Sequence, residues 1–334
     1  MARAAGWFAR AAGGPSTPPP HPKPAVAKPT SAAPTIAAPS VSKQNATSNV
    51  LAEAKSWGYQ LQKLDLERAA SSPFDVLVVD YSRDGSDAEA LNAKDVEKLK
   101  RRPGSDDRSV LAYLSIGEAE SYRYYWDPAW DAAKPEWLLS ENPDWEANHA
   151  VRFWETAWQR LMFGTAQSYL DKIVAAGFDG VYLDKCDVFE DLQEREKKIA
   201  RSRPDLEGDM VRFVVDLARY ARSKRPGFAV VMQNAENLLE HEALRVSIDA
   251  VAKEELLFGL PGSQRRNSKA EVAEARKLLD LAKSASKPVF VVEYLDDPEK
   301  IAEAARYTSE AGYVLYVAPK DRELDRLNDA SFEA

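Results

Sequence analysis

From about residue 57 onward the chain alternates between two hydrophobic patterns. The first is a short, nearly continuous apolar run rich in Val, Ile, Tyr and Phe. Eight such runs occur: Val76–Asp80, Val110–Ile116, Ala150–Trp154, Gly180–Asp184, Ala229–Asn234, Ile248–Glu254, Val289–Tyr294 and Tyr313–Val317. Runs of this length and continuity suit strands covered on both faces. The second pattern has helical spacing. In Lys269–Ser284, residues Val272, Ala275, Leu278, Leu279 and Ala282 fall on one face, and Ile301, Ala304 and Ala305 do the same within Glu299–Glu310. Strand–helix alternation repeated eight times over roughly 250 residues predicts an α/β fold, a (β/α)8 TIM barrel. Ser56–Leu61 reads as a short strand or cap beneath it. A doubly wound open sheet fits less well. Its first strand is usually followed by a glycine-rich phosphate loop, and here Val76–Asp80 leads into Tyr81-Ser82-Arg83-Asp84-Gly85.

Residues 1–50 differ from the rest. They hold 9 of the 20 prolines, five Lys or Arg, and no Asp or Glu. Such a Pro/Ala-rich segment cannot bury enough apolar surface to offset its ordering entropy, so it is expected to be disordered. One barrel domain is expected over 51–334. Ala4–Gly13 has some character of a signal peptide, but Arg10 interrupts its apolar stretch. Asn45-Ala46-Thr47 matches a glycosylation sequon.

Charge and rare residues narrow the chemistry. A net charge of −8 gives no basic field for nucleic acid or an anionic membrane. No apolar run approaches the ~20 residues of a membrane span. Cys186 is the single cysteine, and His21, His149 and His241 match no metal-binding spacing, so neither metal nor cofactor is expected. The absence of a DxDxDG loop lowers a metal-dependent hydrolase using its acids for Mg²⁺ or Ca²⁺. The 8 Trp and 13 Tyr supply flat apolar faces of the kind on which sugar rings stack.

In a barrel the C-terminal ends of the strands converge on one mouth. Read off in order, those ends carry acids, amides and tyrosines. Asp184 and Asp187 stand where Gly180–Asp184 ends, and Glu254 and Glu255 close the Ile248–Glu254 run. Helix capping accounts for some of these acids, such as Asp296 or Asp297 before Pro298. The remainder is what glycoside hydrolysis needs: one carboxyl to protonate the leaving oxygen and another to attack or to activate water.

The motifs Ser56–Leu61, Phe74–Tyr81, Leu111–Glu120, Phe178–Asp187, Gln233–Glu236, Lys253–Gly259 and Tyr313–Leu327 follow one another in an order that resembles glycoside hydrolase family 114 and the TM1410-like glycoside hydrolases. The resemblance covers about 56–330. It implies a (β/α)8 barrel, endo-α-1,4-polygalactosaminidase-like activity on a polysaccharide, and an exported location. It also implies an acid on the fourth strand and an acid on the sixth as the working pair, which places the catalytic roles on Asp184 and Glu254. Either Glu254 or Glu255 could face the mouth. Glu254, followed by apolar Leu256-Leu257-Phe258, is expected to be the acid, and Asp184 the nucleophile or base. Asp80, Tyr81, Glu118, Tyr122, Arg123, Asp187, Asn234, Glu236, Tyr294 and Tyr316 are expected to line the sugar subsites. A monomer is expected. The alternative is a non-catalytic carbohydrate-binding barrel.

Overall fold

The computed structural model describes residues 51–102, 107–260 and 262–328. The expectation of a disordered segment over 1–50 lies outside them. Eight parallel strands form one sheet: β1 (Trp57–Gln60), β2 (Val76–Val79), β3 (Ser109–Ser115), β7 (Gly180–Asp184), β8 (Ala229–Gln233), β9 (Ala250–Glu254), β10 (Val289–Tyr294) and β11 (Val314–Ala318). They neighbour one another in that order, with helices between them, and curl into a nearly closed (β/α)8 barrel. At the seam Trp57 Nε1 donates to the Val314 carbonyl at 3.1 Å. Beyond it the backbone N–H groups of Leu61 and Gln62 both donate to the Leu324 carbonyl, at 2.8 and 3.0 Å. A strap over 319–328 thus completes the circle.

Two of the expected strands change places. Ser56–Leu61 is the first barrel strand, not a cap beneath the domain. Ala150–Trp154 contributes to no barrel strand. Its first residues end β6 (Asn148–Val151), the middle strand of a separate antiparallel sheet with β4 (Glu118–Glu120) and β5 (Leu138–Glu141). The physical reason is exposure: Trp57 to Gln60 are all buried, as a barrel strand requires, whereas Asn148 to Ala150 are only half-buried.

The small sheet stands on the mouth as an excursion between β3 and β7. The chain enters it at Gly117, where a Cβ would lie 2.1 Å from the Lys185 carbonyl oxygen, so only glycine permits the approach. A seam of rings joins the excursion to the barrel. Trp126 packs on His149 and Trp130, Trp130 on Trp137, and Trp137 on Trp158, whose Nε1 donates to the Ile116 carbonyl at 2.9 Å.

The barrel interior is largely aromatic. Trp57 packs against Tyr59, Tyr182, Phe290 and Tyr316 with centroids 5.5–6.1 Å apart. Much of the aromatic content therefore fills the core rather than forming sugar platforms. At the opposite, N-terminal end of the barrel the acids are structural. Asp75 accepts the backbone N–H of Ser56, just before β1, Asp179 and Asp249 each accept one from a neighbouring strand, and each of the three pairs with an arginine. This division, stability at one end and chemistry at the other, is usual for such barrels.

Candidate active site

Asp184 is the last residue of β7, on the same strand face as Tyr182 two residues earlier, so it rises from the barrel interior into the mouth. Glu254 is the last residue of β9 and rises from the sixth strand in the same way. Both carboxyls line a cleft of about 210 Å³. Asp184 accepts from Tyr113 OH at 2.6 Å and from the Lys185 backbone N–H at 2.7 Å. Lys185 reaches that position through a left-handed backbone, φ +58°. Glu254 accepts from Tyr294 OH and, at 3.5 Å, from Asn234 Nδ2, while its own N–H donates to Asn234 Oδ1 at 3.1 Å. Asn234, also left-handed at φ +54°, thereby clamps both main chain and side chain of Glu254.

Burial, and after it the charge of Glu254, pushes the Asp184 carboxyl up to about 7. Lys185 and the Tyr113 hydrogen bond pull the other way and lose. Tyr113 and Tyr294, both buried beside these charges, have their phenols held well above the usual range, so they serve as neutral donors.

Glu255 is differently committed. It forms an ion pair with Arg322 from the strap, and a Cβ at Gly259 (φ +125°) would overlap its carboxylate. Glu254 forms no ion pair among the described residues. This distinguishes the two adjacent glutamates, both of which border the cleft.

Of the other residues read as subsite positions, Asp80, Glu118, Tyr122, Arg123, Asp187, Asn234 and Tyr294 line the cleft. Asp80 is held by Arg123 through two hydrogen bonds of 2.7 and 2.8 Å, and Arg123 Nε donates to Glu120 at 2.7 Å. Glu118 is buried and pairs with Lys185 at 3.3 Å. Glu236 lies outside the cleft in an adjoining groove, paired with Lys253 at 3.0 Å. Tyr81 and Tyr316 do not reach the cleft. Tyr81 is buried edge-on against Tyr169, and Tyr316 packs on Trp57 and Phe74 while its hydroxyl accepts the Asn328 N–H. The last residue of an apolar run can face outward to the helices or inward to the core, and composition alone does not distinguish the two.

Lys185, Trp145 and Arg322 are cleft residues that the sequence reading passed over. They sit on loops, where no periodicity signals direction. Tyr113 could have been found, because it shares an inward face with Ser115 by strand alternation. Among the described residues no group of three or more His, Cys, Asp or Glu is placed to hold a metal ion. No helix among them is long and apolar enough to cross a membrane.

An acid pair at the mouth of a barrel, braced by phenols, has the layout of a glycosidase. The model of glycoside-hydrolase family GH114 matches residues 38–331. The chain belongs to this family. A GH114 protein of this kind has relatives across distant microbes. An uncharacterized protein of Methanocaldococcus jannaschii is 40% identical over 286 residues, covering 81% of this chain and 78% of that one. An uncharacterized protein of Thermotoga maritima is 33% identical over 284 residues, covering 82% and 83%. Among solved structures, the glycoside hydrolase domain of PelA from Pseudomonas aeruginosa matches this GH114 chain with a TM-score of 0.59 at 20% identity, covering 82% of this chain and 97% of that one. Aspergillus fumigatus Ega3, solved in complex with galactosamine, matches with 0.57 at 17% identity, covering 87% and 98%. At these identities the two structures bear on the fold.

The raised Asp184 carboxyl gives a pH expectation. Its folded pKa lies above the ordinary carboxyl value, so Asp184 is protonated below about 7 and ionises as pH rises through about 7. A step that uses Asp184 as an ionised nucleophile or base should therefore decline on the acid side. A pH profile of kcat/KM with its acid limb near 7 is expected, and a profile flat from pH 9 down to pH 5 would remove an ionised Asp184 from the mechanism.

Proposed function

We propose that this protein is an endo-acting glycosidase that cleaves a polysaccharide containing amino sugars with free amines, with Asp184 and Glu254 as its catalytic pair. The observation that carries the reading is the placement of these two carboxyls at the ends of the fourth and sixth barrel strands, in one cleft, each held by a tyrosine hydroxyl. The galactosamine-bound neighbour makes an α-1,4-linked galactosamine polymer the first substrate to try.

Glu254 acts as general acid and Asp184 as nucleophile or base. Both oxygens of Asp184 already accept hydrogen bonds, one from a backbone N–H that can only donate, which suits the ionised form. Glu254 Oε2 has only the long contact to Asn234, leaving it an oxygen able to carry the proton. Glu254's negative charge is one reason Asp184 holds a proton so tightly. Above about pH 7 that proton is lost and Asp184 acts ionised. As the glycosidic bond breaks, the proton passes from Glu254 to the leaving oxygen, and Asp184 attacks the anomeric carbon or activates the water that does.

Charge supports a cationic substrate. The cleft is lined by nine acidic side chains and three basic ones, so its field attracts ammonium groups. A place of action outside the cell follows from a polymeric substrate and forms part of the proposal.

The test uses α-1,4-linked galactosamine polymer in fully acetylated and partly N-deacetylated forms, with reducing ends and product size measured together. The deacetylated polymer should be cut faster, internal cuts should shorten it early, and added salt should raise KM. Failure to release reducing ends from either form, while the protein binds them, would favour the carbohydrate-binding barrel instead.

A further inference from the structure

We propose that Trp145 is a stacking platform for a pyranose ring of the substrate, a specificity-determining residue set on the excursion rather than on the barrel. The inference rests on the glycosidase reading of the cleft. Trp145 lies in the turn between β5 and β6 and lines the same cleft as Asp184 and Glu254. Each of the other tryptophans among the described residues is engaged with another ring. Trp145 alone among them has neither a ring partner nor a hydrogen bond from its indole. Its indole is half-buried and borders a lining otherwise dominated by charged and hydroxylated groups. A pyranose presents C–H groups on its faces and hydroxyls at its rim. A flat apolar face within a polar rim is complementary to that shape, and a ring buried there loses little conformational freedom.

The turn is also built to hold position. Asn142 Nδ2 and Asn148 Nδ2 donate to opposite oxygens of the buried Glu118, at 2.8 and 3.4 Å. The Trp145 N–H donates to the Asn142 carbonyl at 3.2 Å, and Ala147 takes a left-handed backbone at φ +70° with its N–H on Glu141 at 2.6 Å. The Ser121 N–H closes on the Ala147 carbonyl at 2.8 Å. An aromatic on a turn tied down this thoroughly is pre-organised, which lowers the cost of binding. Glu118 is thus a positioning residue: it orders the turn on one side and Lys185, the neighbour of Asp184, on the other.

Binding is measured in the Asp184→Asn background, so that substrate survives. The probe is a size-fractionated, partly N-deacetylated α-1,4-galactosamine oligosaccharide, with affinity read by calorimetry. Adding Trp145→Ala should weaken binding roughly tenfold or more, as truncation of a tryptophan anchor does. Trp145→Phe should recover part of that loss, since it restores a ring. Thermal melting of both variants establishes that the turn still folds. Equal affinity with and without the indole, at unchanged melting temperature, overturns the platform and leaves the glycosidase reading standing. If Trp145→Phe binds no better than Trp145→Ala, ring stacking is likewise refuted. Should wild-type protein neither cleave nor bind the polymer, the glycosidase reading itself fails and this inference falls with it.

Discussion

Asp184→Asn and Glu254→Gln will each fold and will each turn over substrate roughly a thousandfold more slowly, about 4 kcal/mol in the barrier. Both changes are near-isosteric. Tyr113 and Tyr294 can each rotate their hydroxyl to accept from the new amide, so neither substitution strands a buried polar group. Asp184→Asn also removes the carboxylate repulsion that raises Asp184, so its melting temperature should equal or exceed that of the parent. Each variant loses a different function. Asn at 184 cannot attack or deprotonate water, and Gln at 254 cannot give up a proton to a leaving oxygen. Initial rates on the deacetylated polymer, beside thermal melts, decide the matter. A variant that keeps more than about a tenth of parental turnover, a barrier change under ~1.4 kcal/mol, takes that residue out of the pair.

Arg123→Met will cost about 3–5 kcal/mol of stability, the typical penalty for breaking a buried ion pair by removing one partner. Arg123, Asp80 and Glu120 expose 2, 5 and 3% of their side chains. The guanidinium makes a two-bond fork with Asp80, a third bond with Glu120, and lies over the rings of Tyr122, Tyr169 and Tyr113. Methionine fills comparable volume but leaves two carboxylates without a countercharge at the mouth. For a domain of this size the fall in melting temperature should be roughly 10 °C. Adding Asp80→Asn and Glu120→Gln to the same chain should restore part of it, because the charges left behind are the main cost. A drop of less than about 2 °C for Arg123→Met alone would show that water reaches these acids and that the network is not a closed one.

The repeating pattern of apolar runs was enough to read a barrel, and for an instructive reason it also numbered its strands. Ala150–Trp154 carries the apolar pattern of a barrel strand although it belongs to the excursion, and Trp57–Gln60 lacks that pattern although it is β1. Both departures lie before β7, so they cancel, and Asp184 and Glu254 fall on the fourth and sixth strands under either count. Trp57-Gly58-Tyr59-Gln60 is hard to read because its interior-facing positions are large aromatics and its outward ones a glycine and a glutamine, with none of the β-branched residues that mark strands. The same aromatic core explains Tyr81 and Tyr316. A tyrosine at a strand end looks like a sugar contact in sequence and here serves as filling. What could not be read came from loops. Lys185 and Glu255 adopt left-handed backbone immediately after their strands end, and the direction of each side chain depends on that twist. Trp145 and Arg322 reach the cleft from 39 residues before and 138 residues after Asp184, distances over which periodicity carries no information.

The strap over 319–328 has a consequence for time rather than for shape. Barrel closure joins Trp57 to Val314, partners separated by 257 positions in the chain, and the ends of the same two regions meet again where Leu324 receives Leu61 and Gln62. Contacts that far apart form slowly, because the entropy of closing so long a loop is lost before any reward arrives. Arg322 then completes the pairing of Glu255 beside the acid pair. The strap follows both carboxylates in the chain, so a nascent chain presents Asp184 and Glu254 before Arg322 is there to pair with Glu255.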